Sequence, residues 1–127
     1  MERFLWVCLG SALGGGVRYL TSQLALALLG SAFPWGTLAV NAAGSFLIGL
    51  IMHVGLATDA ISPTLRIFLT TGVMGGLTTY STFNYETLEL VRGGAWELGV
   101  ANLAATVVGC LVAGILGLAA GRAIAGG

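Results

Sequence analysis

Apolar residues fill this chain in four long stretches separated by short joints, and none of the stretches alternates with the period of two that marks a half-buried strand. The pattern therefore predicts four helices. The first spans about Phe4 to Leu29, and the second opens after Pro34 and runs to about Leu56. The third begins at Ser62-Pro63 and closes at Arg92, and the fourth extends from about Trp96 to Ala120. Each is long enough, at roughly 20 residues, to cross the hydrocarbon of a bilayer. The joints carry matching signals. Pro34 and Trp35 suit a helix start at the interfacial aromatic belt, Ser62 before Pro63 suits an N-cap, and Arg92-Gly-Gly94 turns the chain.

Polar positions inside the apolar stretches carry most of the remaining information. The third stretch reads Gly72-Val-Met-Gly-Gly-Leu-Thr-Thr-Tyr-Ser-Thr-Phe83 at its centre, where Gly75, Gly76, Thr78, Thr79 and Tyr80 are mediocre to poor helix formers. A break around Gly75 to Thr78 is expected there. Lipid cannot satisfy freed backbone groups, so such a break persists only against protein, an ion or a wet cavity, and it marks an ion or substrate site. The alternative is an unbroken Gly/Thr-rich helix packed closely on its neighbours. Beyond it, Tyr80 and Phe83 share a helix face among the polar groups of Thr79, Ser81, Thr82 and Asn84, with Glu86 deeper than the interfacial Glu89. Glu86 could tether the break or Arg18.

The other stretches carry polar lines of their own. Arg18 lies near the middle of the first, a depth at which a guanidinium must face protein, water or an anion, and Ser11 and Ser22 share its face. Gly10 and Gly14 have the spacing of close helix contact. In the second stretch Thr37, Asn41, Ser45, Gly49 and His53 recur every four residues. Asn41 offers two donors, either to a neighbouring helix or to an ion. In the fourth, Ala101, Ala105, Gly109, Ala113, Gly117 and Gly121 suggest a smooth packing line, with Asn102, Thr106 and Cys110 as a polar line beside it.

Composition fixes the solvent. Hydrophobic residues make up 57% of the chain and charged residues 8%, and the mean hydropathy is +0.96. These values indicate an all-α membrane protein whose residues 1–127 form a single domain. The first stretch lacks the basic start and cleavage site of a removed signal peptide and is kept as a span. Five Arg balance five acids, leaving no basic tract for nucleic acid. Cys8 and Cys110 lack partners at ligand spacing and are expected to be small buried thiols, and no hydrolase or phosphate-loop signature suggests an enzyme. Arg3, Arg66 and Arg122 fall on one side and Arg92 on the other, a bias small enough to allow both orientations and hence an antiparallel dimer. The inward groups mostly donate hydrogen bonds and lack matching acids, which suits a dehydrating anion, while freed carbonyls at the break suit a small fixed cation.

In three runs the chain resembles the Fluc/CrcB fluoride channel family: Gly15-Gly-Val-Arg18-Tyr, Gly36-Thr-Leu-Ala-Val-Asn41-Ala-Ala-Gly-Ser-Phe46, and Gly72 to Phe83 with Glu86. The resemblance implies four membrane spans, the third broken, assembled as an antiparallel, dual-topology homodimer in the cell membrane. It implies passive export of cytoplasmic fluoride through two pores. Carbonyls of Gly75 and Thr78 from both subunits would hold a structural sodium ion that is not transported. Tyr80 and Phe83 would present ring edges, Asn41 would donate to fluoride, Ser81 and Thr82 would lie on or near the path, and Arg18 would sit toward an aqueous vestibule. Tyr80 departs from the Phe usual in that family. Glu86, Asn102 and Thr106 are carried as vestibule or supporting residues on physical grounds. The competing reading is a proton-coupled exporter resembling small multidrug resistance proteins, which needs a membrane-embedded carboxylate where the first stretch offers Arg18.

Overall fold

In the computed structural model, which describes residues 1–126, every regular element is a helix. The first two stretches become α1 (Glu2–Leu29) and α2 (Trp35–Ala57). The third starts where Ser62 caps it, its Oγ accepting from the Leu65 N–H at 3.1 Å, with Pro63 in the first turn. It runs as α-helix over Pro63–Ile67, as π-helix over Phe68–Met74 and as one more α-helical turn over Gly75–Leu77. Together these pieces form α3, residues 63–77. After two extended residues the chain resumes as α4 (Tyr80–Arg92), turns through Gly94 at a positive φ of 88°, and ends in α5 (Trp96–Ala125).

Glycine sets the helix contacts. α1 crosses α3 backbone to backbone: a Cβ on Gly10 would lie 2.7 Å from the Phe68 carbonyl oxygen, and one on Gly14 would collide with that of Val73. The GxxxG spacing read in the first stretch is thus a true packing face, and Ser11 Oγ donates across it to the Gly72 carbonyl at 3.4 Å. α2 lies equally close to α5, where a Cβ on Gly49 would meet the Gly114 carbonyl oxygen at 2.7 Å and one on Gly121 would meet that of Leu50 at 3.0 Å.

The packing line on α5 differs from the one expected. Gly117 and Gly121 are buried, but Ala101 and Gly109 are exposed, and nothing approaches Gly109 within 4 Å. A strict four-residue repeat from 101 to 121 winds roughly 200° around a helix of 3.6 residues per turn, so it cannot stay on one face. The contact passes instead through the polar line, with Asn102 only 1% exposed and Thr106 buried. The cysteines also depart from expectation: Cys8 is exposed, and Cys110 is only half-buried, beside Ser45.

The interior is small and partly polar. Val40, Met74 and Leu77 form its apolar centre with Val73 against them, while Thr37, Asn41, Thr70, Asn102 and Thr106 are buried with them. Large apolar side chains point outward instead, Leu111 at 66% exposure among them. That inversion is what hydrocarbon as solvent produces. α2 and α5 are each long and apolar enough to cross a membrane, whereas the third stretch is divided by its break.

Candidate ion site at the helix break

The break falls at Thr78 and Thr79, where the backbone turns extended (φ −87°, ψ 155° and φ −152°, ψ 121°). Several of the groups released there are taken up by nearby side chains. The Thr78 N–H and its Oγ1 both donate to the Met74 carbonyl at 3.0 Å, sealing the end of α3. Thr79 is the N-cap of α4, its Oγ1 accepting from the Thr82 N–H at 3.1 Å. Asn41, on α2, clamps the same residue from both sides. Its Oδ1 accepts from the Thr79 N–H at 2.8 Å, and its Nδ2 donates to the Thr79 carbonyl at 3.1 Å.

These bonds determine which carbonyls are left over. In an unbroken helix the N–H of Thr79 would reach the carbonyl of Gly75 and that of Thr82 the carbonyl of Thr78. Here the first goes to Asn41 and the second to Thr79 Oγ1, so both carbonyls are released. The Gly76 carbonyl is released too, but Arg18 Nε donates to it at 3.1 Å. The half-buried midpoint arginine of α1 thus supports the break directly, with Ser11 bonding the same helix one turn earlier.

Two cavities flank this point along α2 and α4. One, of about 410 Å³, is lined by Asn41, Ser45, Thr79, Tyr80, Phe83 and Thr106. The other, of about 430 Å³, sits under the α1–α2 joint and takes in Thr37, Trp35, Tyr85, Glu86 and Glu89. Thr37 and Asn41 are one turn apart on α2, and Phe83 and Glu86 nearly one turn apart on α4, so the cavities are neighbours along these helices, the one at Asn41 inner and the one at Glu86 outer. Phe83, 4% exposed, lines the inner cavity, and the Tyr80 ring meets it edge-on with centroids 5.7 Å apart and planes at 72°.

The remaining expected residues divide. Glu86 Oε1 is buried without a hydrogen-bond partner among the described residues; it lines the outer cavity and tethers neither the break nor Arg18, which is spent on Gly76. Glu89 pairs with Arg92 at the end of α4. Ser81 is exposed with its Oγ 3.4 Å from Thr79 Oγ1, and Thr82 is half-buried; neither lines either of these two cavities. Asn102 Nδ2 donates to Thr87 Oγ1 at 2.8 Å, and that hydroxyl donates in turn to the Phe83 carbonyl at 2.8 Å. Thr87 is the residue sequence reasoning passed over. Its signal was a hydroxyl four residues after Phe83, the spacing at which threonine bonds back to its own helix.

Residues 5–118 match the family described as CrcB-like protein, Camphor Resistance (CrcB). The chain is 60% identical over 113 residues to a protein of Anaeromyxobacter sp. (strain K) named fluoride-specific ion channel FluC, covering 89% of this chain and 90% of that one. A protein of the same name from Sorangium cellulosum (strain So ce56) is 50% identical over 127 residues, the full length of both. One from Citrifermentans bemidjiense is 44% identical over 124 residues, covering 98% of this chain and all of that one.

Proposed function

The chain belongs to the CrcB-like family, and from that premise we propose that it is a passive, fluoride-selective channel that lets cytoplasmic fluoride leave the cell and so limits its toxicity. The observation that carries this reading is the pair of neighbouring cavities along α2 and α4, the inner lined by Asn41 and Phe83 and the outer by Thr37 and Glu86. A fluoride ion crossing there must exchange its water for N–H and O–H donors and for the positive edges of aromatic rings. The inner cavity offers Asn41, Ser45, Thr79 and Thr106 with the edges of Tyr80 and Phe83, and no carboxylate. Asn41 keeps a second Nδ2 hydrogen beyond the one given to Thr79. Hydrogen fluoride enters through lipid as a neutral acid and ionises inside, so a leak for the anion alone lowers its accumulation without ATP or proton coupling.

In this reading the channel is an antiparallel homodimer with dual topology in the cell membrane. Gly75, Tyr80, Ser81, Asn84 and Tyr85 form an exposed, largely polar surface at the depth of the break, and hydrocarbon does not tolerate such a surface uncovered. A second, inverted copy covers it with the same surface. The carbonyls of Gly75 and Thr78 fit a sodium ion, being neutral hard oxygens released by the break, and no cluster of His, Cys or acidic side chains among the described residues would favour a divalent metal. Supplied by both copies, these oxygens would hold the ion as a fixed structural charge beside the anion path. A proton-coupled multidrug exporter needs a carboxylate in the first span; α1 has Arg18 there, bonded to Gly76.

Purified protein in liposomes loaded with potassium fluoride or potassium chloride tests the reading. Rapid fluoride efflux with negligible chloride efflux is expected, sharply slowed by Phe83→Ile. Equal efflux of the two anions, or none of fluoride, would overturn it.

A further inference from the structure

The phenol of Tyr80 is a large polar side chain at the break whose hydroxyl no described residue engages. The side chains of Asn41, Arg18, Thr78 and Asn102 all spend donors on the protein. Tyr80 is 78% exposed, and its hydroxyl makes no hydrogen bond to any described residue, although its ring is fixed edge-on against buried Phe83 and lines the inner cavity. A tyrosine hydroxyl at membrane depth ordinarily finds an acceptor, because hydrocarbon offers none. The other polar side chains lining this cavity are Asn41, Ser45, Thr70, Thr78, Thr79 and Thr106, and none of them is acidic.

We infer that the Tyr80 hydroxyl donates a hydrogen bond to the fluoride ion as it passes the Phe83 ring edge in the inner cavity, making Tyr80 a fluoride-binding residue through its oxygen rather than its ring alone. This rests on the fluoride-channel reading above. A donor to a dehydrated, strongly accepting anion is of the charge-assisted kind. Its loss corresponds to a change of about tenfold or more in the fluoride concentration giving half-maximal flux.

Efflux from liposomes is to be compared for wild type, Tyr80→Phe and Tyr80→Leu across a series of fluoride concentrations, with each variant's elution volume in detergent recorded beside it. If the hydroxyl carries the effect, Tyr80→Phe resembles Tyr80→Leu, both raising the half-maximal concentration about tenfold or more while eluting as wild type does. If Tyr80→Phe conducts as wild type, the ring edge suffices and the inference falls. It falls too if Tyr80→Phe shifts elution to a smaller species with its concentration dependence intact, since the hydroxyl then bonds a second copy. Absence of fluoride flux from wild type would instead refute the channel reading itself, so the two failures are distinct.

Discussion

Asn41 separates a scaffold role from an ion-binding role, because the two predict different losses. Its side chain is 8% exposed and makes two bonds to one residue, at 2.8 Å to the Thr79 N–H and at 3.1 Å to the Thr79 carbonyl. Asn41→Ala removes both and leaves a donor and an acceptor at the break. Each such orphan costs about 1–3 kcal/mol where water does not reach it, which places the loss near 2–6 kcal/mol. Couplings between membrane helices average only about 0.6 kcal/mol per bond because the unfolded chain in lipid also finds partners, and two of them set a floor near 1 kcal/mol. The variant should therefore unfold at clearly lower denaturant or temperature than wild type in the same detergent, and lose fluoride efflux with it. Asn41→Asp is the sharper probe. It keeps an acceptor for the Thr79 N–H but sets a carboxylate oxygen against the Thr79 carbonyl, so it should be destabilised as well although its volume is unchanged. If Asn41→Ala loses flux yet unfolds as wild type does, within about 0.5 kcal/mol, the clamp is energetically irrelevant and Asn41 acts only on the ion.

Two further outcomes follow from the packing and the break. Gly117→Ala drives a Cβ into the Phe46 carbonyl and should cost about 1–3 kcal/mol, whereas Gly109→Ala meets nothing and should be neutral or gain up to about 1 kcal/mol from helix propensity; equal effects in unfolding experiments would contradict the α2–α5 seam. Replacing sodium by a bulky organic cation throughout purification and assay should lower thermal stability and fluoride flux together. The stabilisation regained on adding sodium should approach about 2.7 kcal/mol at a hundredfold excess over its dissociation constant, and stability indifferent to sodium would remove the Gly75 and Thr78 carbonyls as its ligands.

The helices and the break were legible because each leaves a local mark: run length, a Ser-Pro cap at Ser62, and glycines and threonines where α3 ends. The identities of Asn41 and Arg18 as unusual residues were legible for the same reason, since a buried amide and a guanidinium at mid-span are costly on any helix. Their partners were not. That Asn41 bonds Thr79 and Arg18 bonds Gly76 depends on contacts 38 and 58 residues apart in sequence, which no local pattern encodes. The α5 line failed on geometry: reading an i, i+4 repeat as a straight stripe ignores its rotation, harmless over two turns and decisive over five. The π-helix over Phe68–Met74 had no composition signal that distinguishes it from α-helix.

Those long-range bonds also explain why the break can exist without a rigid loop to hold it. Interrupting a helix in lipid orphans several N–H and C=O groups at once, and leaving them all unpaired would exceed the stability of a small domain. Here Thr78 and Thr79 satisfy part of the set from within the chain, Asn41 satisfies another part from α2 and Arg18 a third from α1. The carbonyls of Gly75 and Thr78 are among the groups left over, since the N–H groups that would have reached them go to Asn41 and to Thr79 Oγ1. In the channel reading such carbonyls would suit a small cation, and the Asn41, Ser45 and Thr106 groups lining the cavity beside Phe83 would suit an anion, so one interruption would set opposite charges side by side.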